Sequence, residues 1–188
     1  MTRPGLVWSQ ISKIPDYTTA LNSMSVGDPL WLNTIISGGQ TGADQAGLEI
    51  ARHLGLQTGG WAPRGYRTED GPALWLKDYG LLEHKSPEYP PRTILNVQNA
   101  GGTVWFGNHH SPGGRLTITT ARSLGKPCAV NPTAEELRRW LIKDQIQVLN
   151  VAGNRASTNP RVRVVVSATI SLAVAGKEIV LEAVGEPR

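Results

Sequence analysis

The sequence predicts an α/β protein: a parallel sheet with helices on both faces. Three observations carry that expectation. Short β-type runs alternate with segments of helical spacing, joined by brief links. Two strand ends are glycine-rich and run straight into helices, SGGQTGAD at 37–44 and NHHSPGGRLT at 108–117. A third strand end, AGNRAST at 152–158, is small and polar.

Residues 1–32 lack a clean period and carry Pro4, Pro15 and Pro29. They read as an N-terminal extension, with Trp8, Ile11 and Ile14 packing on the main body, residues 33–188. Residues 33–37 form the first strand. Residues 42–54 place Ala43, Ala46, Ile50 and Leu54 near helical spacing, and Gly55 stops the helix. Residues 56–62 suit a second strand. The stretch 63–91 is rich in proline, glycine and charge and reads as a long excursion, functional or mobile. A short helix or turn is expected at 93–98. GTVWF at 102–106 is the third strand, and a glycine-rich loop follows it. A helix is expected over 116–124, with a fourth strand at 127–131. Thr133 and Glu136 form a capping box that opens a helix running to about Lys143. The fifth strand is 147–151. Pro160 after Asn159 starts a last helix ending at Ala175, with Gly176 as its stop. Its β-branched content leaves a strand at 163–166 as the alternative.

The bulk numbers fit one domain with a real core: 188 residues, 39% hydrophobic and 18% charged. Nineteen basic residues against fifteen acidic give a net charge of +4. That favours an anionic ligand, but the basic residues are scattered, which argues against a nucleic-acid partner. A single cysteine, Cys128, allows no internal disulfide and fits a reducing cytoplasm. In KPCAV it reads as a small buried residue rather than a nucleophile. No signal peptide is expected. The apolar stretch 162–176 contains Arg163 and is too short to span a bilayer, so no membrane partner is expected.

In parallel sheets of this kind, ligands bind beyond the carboxyl ends of the strands. The N–H groups at a helix start are unpaired and the dipole is positive there, so glycine-rich corners suit a phosphate. The two corners nominate Gly38, Gly39, Gln40, Thr41, Gly42 and Asp44 on one side. On the other they nominate Ser111, Gly113, Gly114, Arg115 and Thr117. Backbone amides would hold the phosphate, and Gln40, Thr41 and Asp44 would bond to sugar, phosphate or ring edges. A carboxylate introduced at Gly114 would occupy the phosphate's place. Thr41 and Asp44 fit equally well as a local capping pair. Trp61 and Tyr66 are candidates to stack on a flat ring, and Arg64, Arg67, Glu69 and Asp70 could form a lid. His109 and His110, as loop neighbours, are expected to point apart and to make a poor metal pair; no protein-ligated metal is expected. No G-x-S-x-G elbow supports serine hydrolysis.

IISGGQTGADQAGLEIARHLGL, GGWAPRGYRTEDGP, GGTVWFG, SPGG, GKPC and LNVAG occur in this order between about residues 33 and 155. Together they resemble the circularly permuted YpsA-type branch of the SLOG superfamily, whose members have been called molybdenum carriers. The resemblance implies a Rossmann-like fold with a ligand cleft. Its walls would be Gly38, Gly39, Gln40, Thr41 and Asp44, and opposite them Gly113 and Gly114. It implies a carrier or sensor of a phosphorylated ring compound, with molybdenum cofactor or a nucleotide as ligand, in a cytoplasmic homo-oligomer. A second reading is a nucleoside-monophosphate phosphoribohydrolase of the cytokinin-activating type. That group uses P-G-G-x-G-T-x-x-E; here Leu116 replaces the later glycine and Thr120 the glutamate. Thr120 cannot act as a carboxylate acid or base, so a non-enzymatic role is favoured unless Asp44 or Glu69 substitutes.

Overall fold

The computed structural model describes residues 30–175. Most of the expected N-terminal extension, with Trp8, Ile11 and Ile14, and the stop at Gly176 lie outside the described residues.

Six strands form one parallel sheet: β1 (Thr34–Ile36), β2 (Gln57–Ala62), β5 (Leu81–Glu83), β6 (Gly102–Phe106), β7 (Cys128–Val130) and β8 (Val148–Gly153). Their order is β5-β2-β1-β8-β6-β7, and every pairing within it is parallel. A separate two-stranded hairpin pairs β3 (Arg67–Thr68) with β4 (Gly71–Pro72). Among the described residues five α-helices flank the sheet: α1 (Ala43–His53), α2 (Tyr89–Asn99), α3 (Pro112–Ser123), α4 (Ala134–Lys143) and α5 (Val162–Ala175). The chain builds β1, β2 and β5 outward in one direction. It then crosses to β6 and β7 and returns through α4 to place β8 beside β1. The order reverses at β1 and β8, so the loops after β1, β8 and β6 diverge there and leave room for a ligand.

Alternation along the strands gives the sheet two unlike faces. Ile35, Val104, Phe106, Leu149 and Val151 pack against Ala46 and Ile50 of α1, Leu137 and Leu141 of α4, and Val166 and Ile170 of α5. The alternate positions Thr103, Trp105, Asn150 and Ala152 belong to the opposite face, the side of α2 and α3, and Asn150 donates to the Thr103 hydroxyl at 3.3 Å.

Three elements differ from expectation. Helix α2 begins at Tyr89, four residues before the expected 93. Pro90 and Pro91 read as loop, yet a first helical turn has no use for their missing N–H groups. Helix α3 begins at Pro112, not 116, because Ser111 caps it by accepting from Gly114 N–H at 3.1 Å. The excursion 63–91 is a packed structure: Tyr66, Ala73, Leu76 and Leu81 bury themselves against Leu48 and Ala62. The capping box forms as expected, with Thr133 N–H donating to Glu136 at 2.8 Å and Glu136 N–H to the Thr133 hydroxyl at 3.2 Å. The last segment is helical, not a strand. Burial pushes the half-buried Cys128 thiol above its usual range, which suits a packed residue.

Candidate functional site

The corner after β1 is tight because the protein's own groups crowd it. A Cβ on Gly38 would lie 1.6 Å from Nη1 of Arg92, so the guanidinium rests directly on that glycine. Gly42 has φ +82°, and a Cβ there would come within 2.5 Å of the Asn154 carbonyl oxygen. Gly39 faces Leu76 and Leu81. Helix α1 has Gly42 at its N-cap and no side-chain cap, so the local capping pair is not formed. Thr41 instead donates its hydroxyl to Glu69. Asp44 is buried and accepts from Gln40 N–H at 3.2 Å and from Arg92 Nη1 at 3.3 Å. Burial raises its carboxyl above the ordinary value, and the Arg92 charge opposes that shift.

The hairpin β3–β4 is strapped over this corner. The Gln40 side-chain oxygen accepts from Thr41 N–H and Glu69 N–H, both at 2.9 Å. Glu69 accepts from the Thr41 and Ser157 hydroxyls. Burial alone would raise the Glu69 carboxyl, but these bonds and the Arg155 charge leave it below its usual range.

At the second corner the two glycines differ. A Cβ on Gly114 would lie 2.5 Å from the His109 carbonyl oxygen, whereas one on Gly113 would meet only Trp105 Cη2, at 3.6 Å. Thr117 donates to the Gly113 carbonyl at 2.8 Å. Arg115 is exposed. His109 and His110 do not point apart: their ring centroids are 4.0 Å from one another. Asn154 ties the loops together, donating its N–H to the Phe106 carbonyl at 2.9 Å and accepting from Asn108 N–H at 2.6 Å.

Between β6, β8, α2 and α3 lies a cavity of about 460 Å³. Trp105, Asn150 and Ala152 line it from the sheet and Tyr89, Arg92 and Asn96 from α2. Ser111, Gly113 and Thr117 line it from α3, Gln40 and Asp44 from the first corner, and Arg155 from the loop after β8. The volume suits a mononucleotide-sized ligand.

A model of the circularly permutated YpsA SLOG family matches residues 35–174. The chain belongs to that family. The solved structures include one similar to this cpYpsA chain, from Syntrophus aciditrophicus SB, described as a "putative molybdenum carrier protein". It is 32% identical, with a TM-score of 0.70, and the match covers 77% of this chain and 96% of the other. No curated protein matches. The fold is therefore Rossmann-like, and the family and fold support a ligand-binding role. Among the described residues no helix is long and apolar enough to cross a membrane. None of their His, Cys, Asp and Glu side chains gather in a group able to hold a metal ion.

Of the nominated residues in this cpYpsA chain, the structure gathers Gln40, Asp44, Ser111, Gly113 and Thr117 around the cavity. Gly38, Gly39, Thr41, Gly42, Gly114 and Arg115 stand beside it without lining it. Trp61 is also outside, edge-on to His84 with ring centroids 6.4 Å apart. Tyr66 is buried and donates to the Leu81 carbonyl at 3.1 Å. Of the expected lid, Arg67 and Glu69 lie over the first corner and Tyr89, while Arg64 and Asp70 line nothing here.

The sequence reading missed Trp105, Tyr89, Arg92 and Asn150. In sequence Trp105 reads only as part of the third strand, GTVWF; its alternate position on β6 is the signal available. Three guanidinium carbons surround the Tyr89 ring, those of Arg155 at 4.8 Å, Arg67 at 5.1 Å and Arg92 at 5.7 Å. Burial alone would raise the Tyr89 phenol, but contacts with Arg67, Gln40 and Arg155 hold it below its usual range. Three cavity-lining residues carry a buried N–H donor that meets no acceptor in good geometry: Gln40 Nε2, Arg92 Nε and Trp105 Nε1. The Gln40 side chain also lies beside the Tyr89 hydroxyl.

Proposed function

We propose that this chain is a carrier or sensor that binds a phosphorylated, ring-containing small molecule, a nucleotide or the pterin phosphate of molybdenum cofactor. The observation that carries this reading is the set of unpaired donors on Gln40, Arg92 and Trp105 around one cavity. Buried donors normally find acceptors, so an acceptor-rich ligand suits this wall. The α3 start at Ser111 and Gly113, with Arg155, offers a rim for the phosphate. Tyr89 offers a face for the ring. The donor set suits the organic part of molybdenum cofactor. A metal atom carried there would be cargo held through its organic ligand, not through side chains.

The hydrolase alternative is not favoured. Among the described residues Asp44 is the single carboxylate lining the cavity, and it is committed to Gln40 N–H and Arg92. The test is titration calorimetry with GMP, AMP and a pterin phosphate, with inorganic phosphate as the control. At least one ring phosphate should bind tighter than phosphate itself. Incubation with AMP should release no adenine; release would restore the enzyme reading. A cytoplasmic homo-oligomer belongs to the same proposal, and light scattering after gel filtration tests the assembly.

A further inference from the structure

We infer that the inner wall of the cavity selects a ring whose inward edge carries only acceptors: the adjacent oxo oxygen and ring nitrogen of an oxopurine or a pterin, rather than an aminopurine edge. This deepens the ligand-binding reading and rests on it.

The three unpaired atoms are chemically alike. Tryptophan and arginine side chains offer donors and no acceptor. Gln40 could in principle turn its amide either way, but its oxygen already accepts two backbone N–H groups, from Thr41 and Glu69. That fixes the NH₂ as the remaining group and removes the usual ambiguity of an amide. Two of the acceptors beside them are occupied by the protein itself. Asn96 Oδ1 takes the Trp61 N–H at 2.9 Å, and Asp44 takes Gln40 N–H and Arg92. A ligand edge meeting this wall therefore finds buried donors without partners.

Depth orders the ligand. Trp105 and Gln40 are 4% and 5% exposed, while Gly113 is exposed and Arg155 half-buried. A ring placed inward sets its phosphate toward the rim. Guanine presents O6 and N7, two acceptors side by side, where adenine presents an N6 amino group beside N7. A pterin likewise has an oxo oxygen beside a ring nitrogen. An amino group against these donors leaves buried groups unpaired on both sides, the situation that discriminates most strongly between otherwise similar ligands.

Calorimetry on the full chain with GMP, IMP, AMP and 6-hydroxymethylpterin phosphate tests this, with molybdate and inorganic phosphate as oxyanion arms. GMP and IMP should bind about tenfold or more tighter than AMP. A pterin phosphate tighter than GMP supports the same edge and names its source. Gln40→Glu keeps an acceptor for both backbone N–H groups and replaces the donor, so it should narrow or invert the GMP-to-AMP ratio. Trp105→Phe should move that ratio toward one. AMP binding as tightly as GMP overturns the inference and leaves the ligand-binding reading standing. Molybdate or phosphate binding as tightly as any ring compound also overturns it, assigning the donors to an oxyanion. If none of these ligands binds, both readings fall.

Discussion

Gly113 and Gly114 are neighbours with different duties. Gly114 leaves room for the His109 carbonyl, so a side chain there collides with the backbone of the loop that shapes the corner. Gly113 opens toward Trp105 and the cavity. The carboxylate expected to displace a phosphate therefore belongs at 113. Gly113→Asp should keep a native melting curve and lose ligand binding at least tenfold, whereas Gly114→Asp should be destabilised in thermal unfolding. If both melt and bind as the parent does, the rim is misplaced. Glu69 gives a second test. Its carboxyl is held below the ordinary 4.5, so it adds stability at neutral pH that is lost as pH falls through the folded value. Asp44 has the opposite sign. Its value is raised above 3.8, so its contribution is full in acid and is lost as pH rises through the folded value. Urea unfolding at several pH values should show that Glu69→Gln loses part of the decline below about pH 4.5. An unchanged acid limb would mean that the strap adds nothing to stability. At this scale the glycine-rich corners pointed to the neighbourhood of the cavity, and Gln40, Asp44, Ser111, Gly113 and Thr117 of their residues line it. Arg92 and Trp105 were not legible, since their part depends on which face a strand or helix turns to the cavity.

Elements were read well wherever local chemistry and packing agree. β1 is a β-branched run, and α4 carries its own start signal in Thr133 and Glu136. Thr133→Ala should cost about 1 kcal/mol and lower the melting temperature by roughly 2–4 °C, with ligand affinity unchanged. An unaltered melting temperature would show that the capping box is redundant with the packing of Leu137 and Leu141. The starts of α2 and α3 were misjudged for one reason. Prolines and glycines disfavour a helix interior but are tolerated in its first turn. The stretch 63–91 hid its order because Leu76 and Leu81 pack on Leu48, a contact between segments far apart in sequence.

For the molecule as a whole, the unequal faces of the sheet divide stability from binding. Leu149 packs among the helices α1, α4 and α5, and its neighbour Asn150 lines the cavity. Leu149→Ala should therefore cost about 2–5 kcal/mol of unfolding free energy while GMP affinity stays within twofold. A parallel loss of affinity would mean that the two faces are coupled through β8. The alternation of strand-like and helix-like segments made the parallel sheet legible from sequence, but the strand order, set by long-range pairing, was not. The cavity also bears on the lifetime of the protein in a cell. Whatever fills it takes the place of side chains in the second layer and adds to native stability by mass action, about 2.7 kcal/mol at a hundred times its dissociation constant. Degradation follows the opened fraction of a population, so molecules holding their ligand would outlast those without it. Steady-state abundance would then track the supply of the ligand, with no change in synthesis.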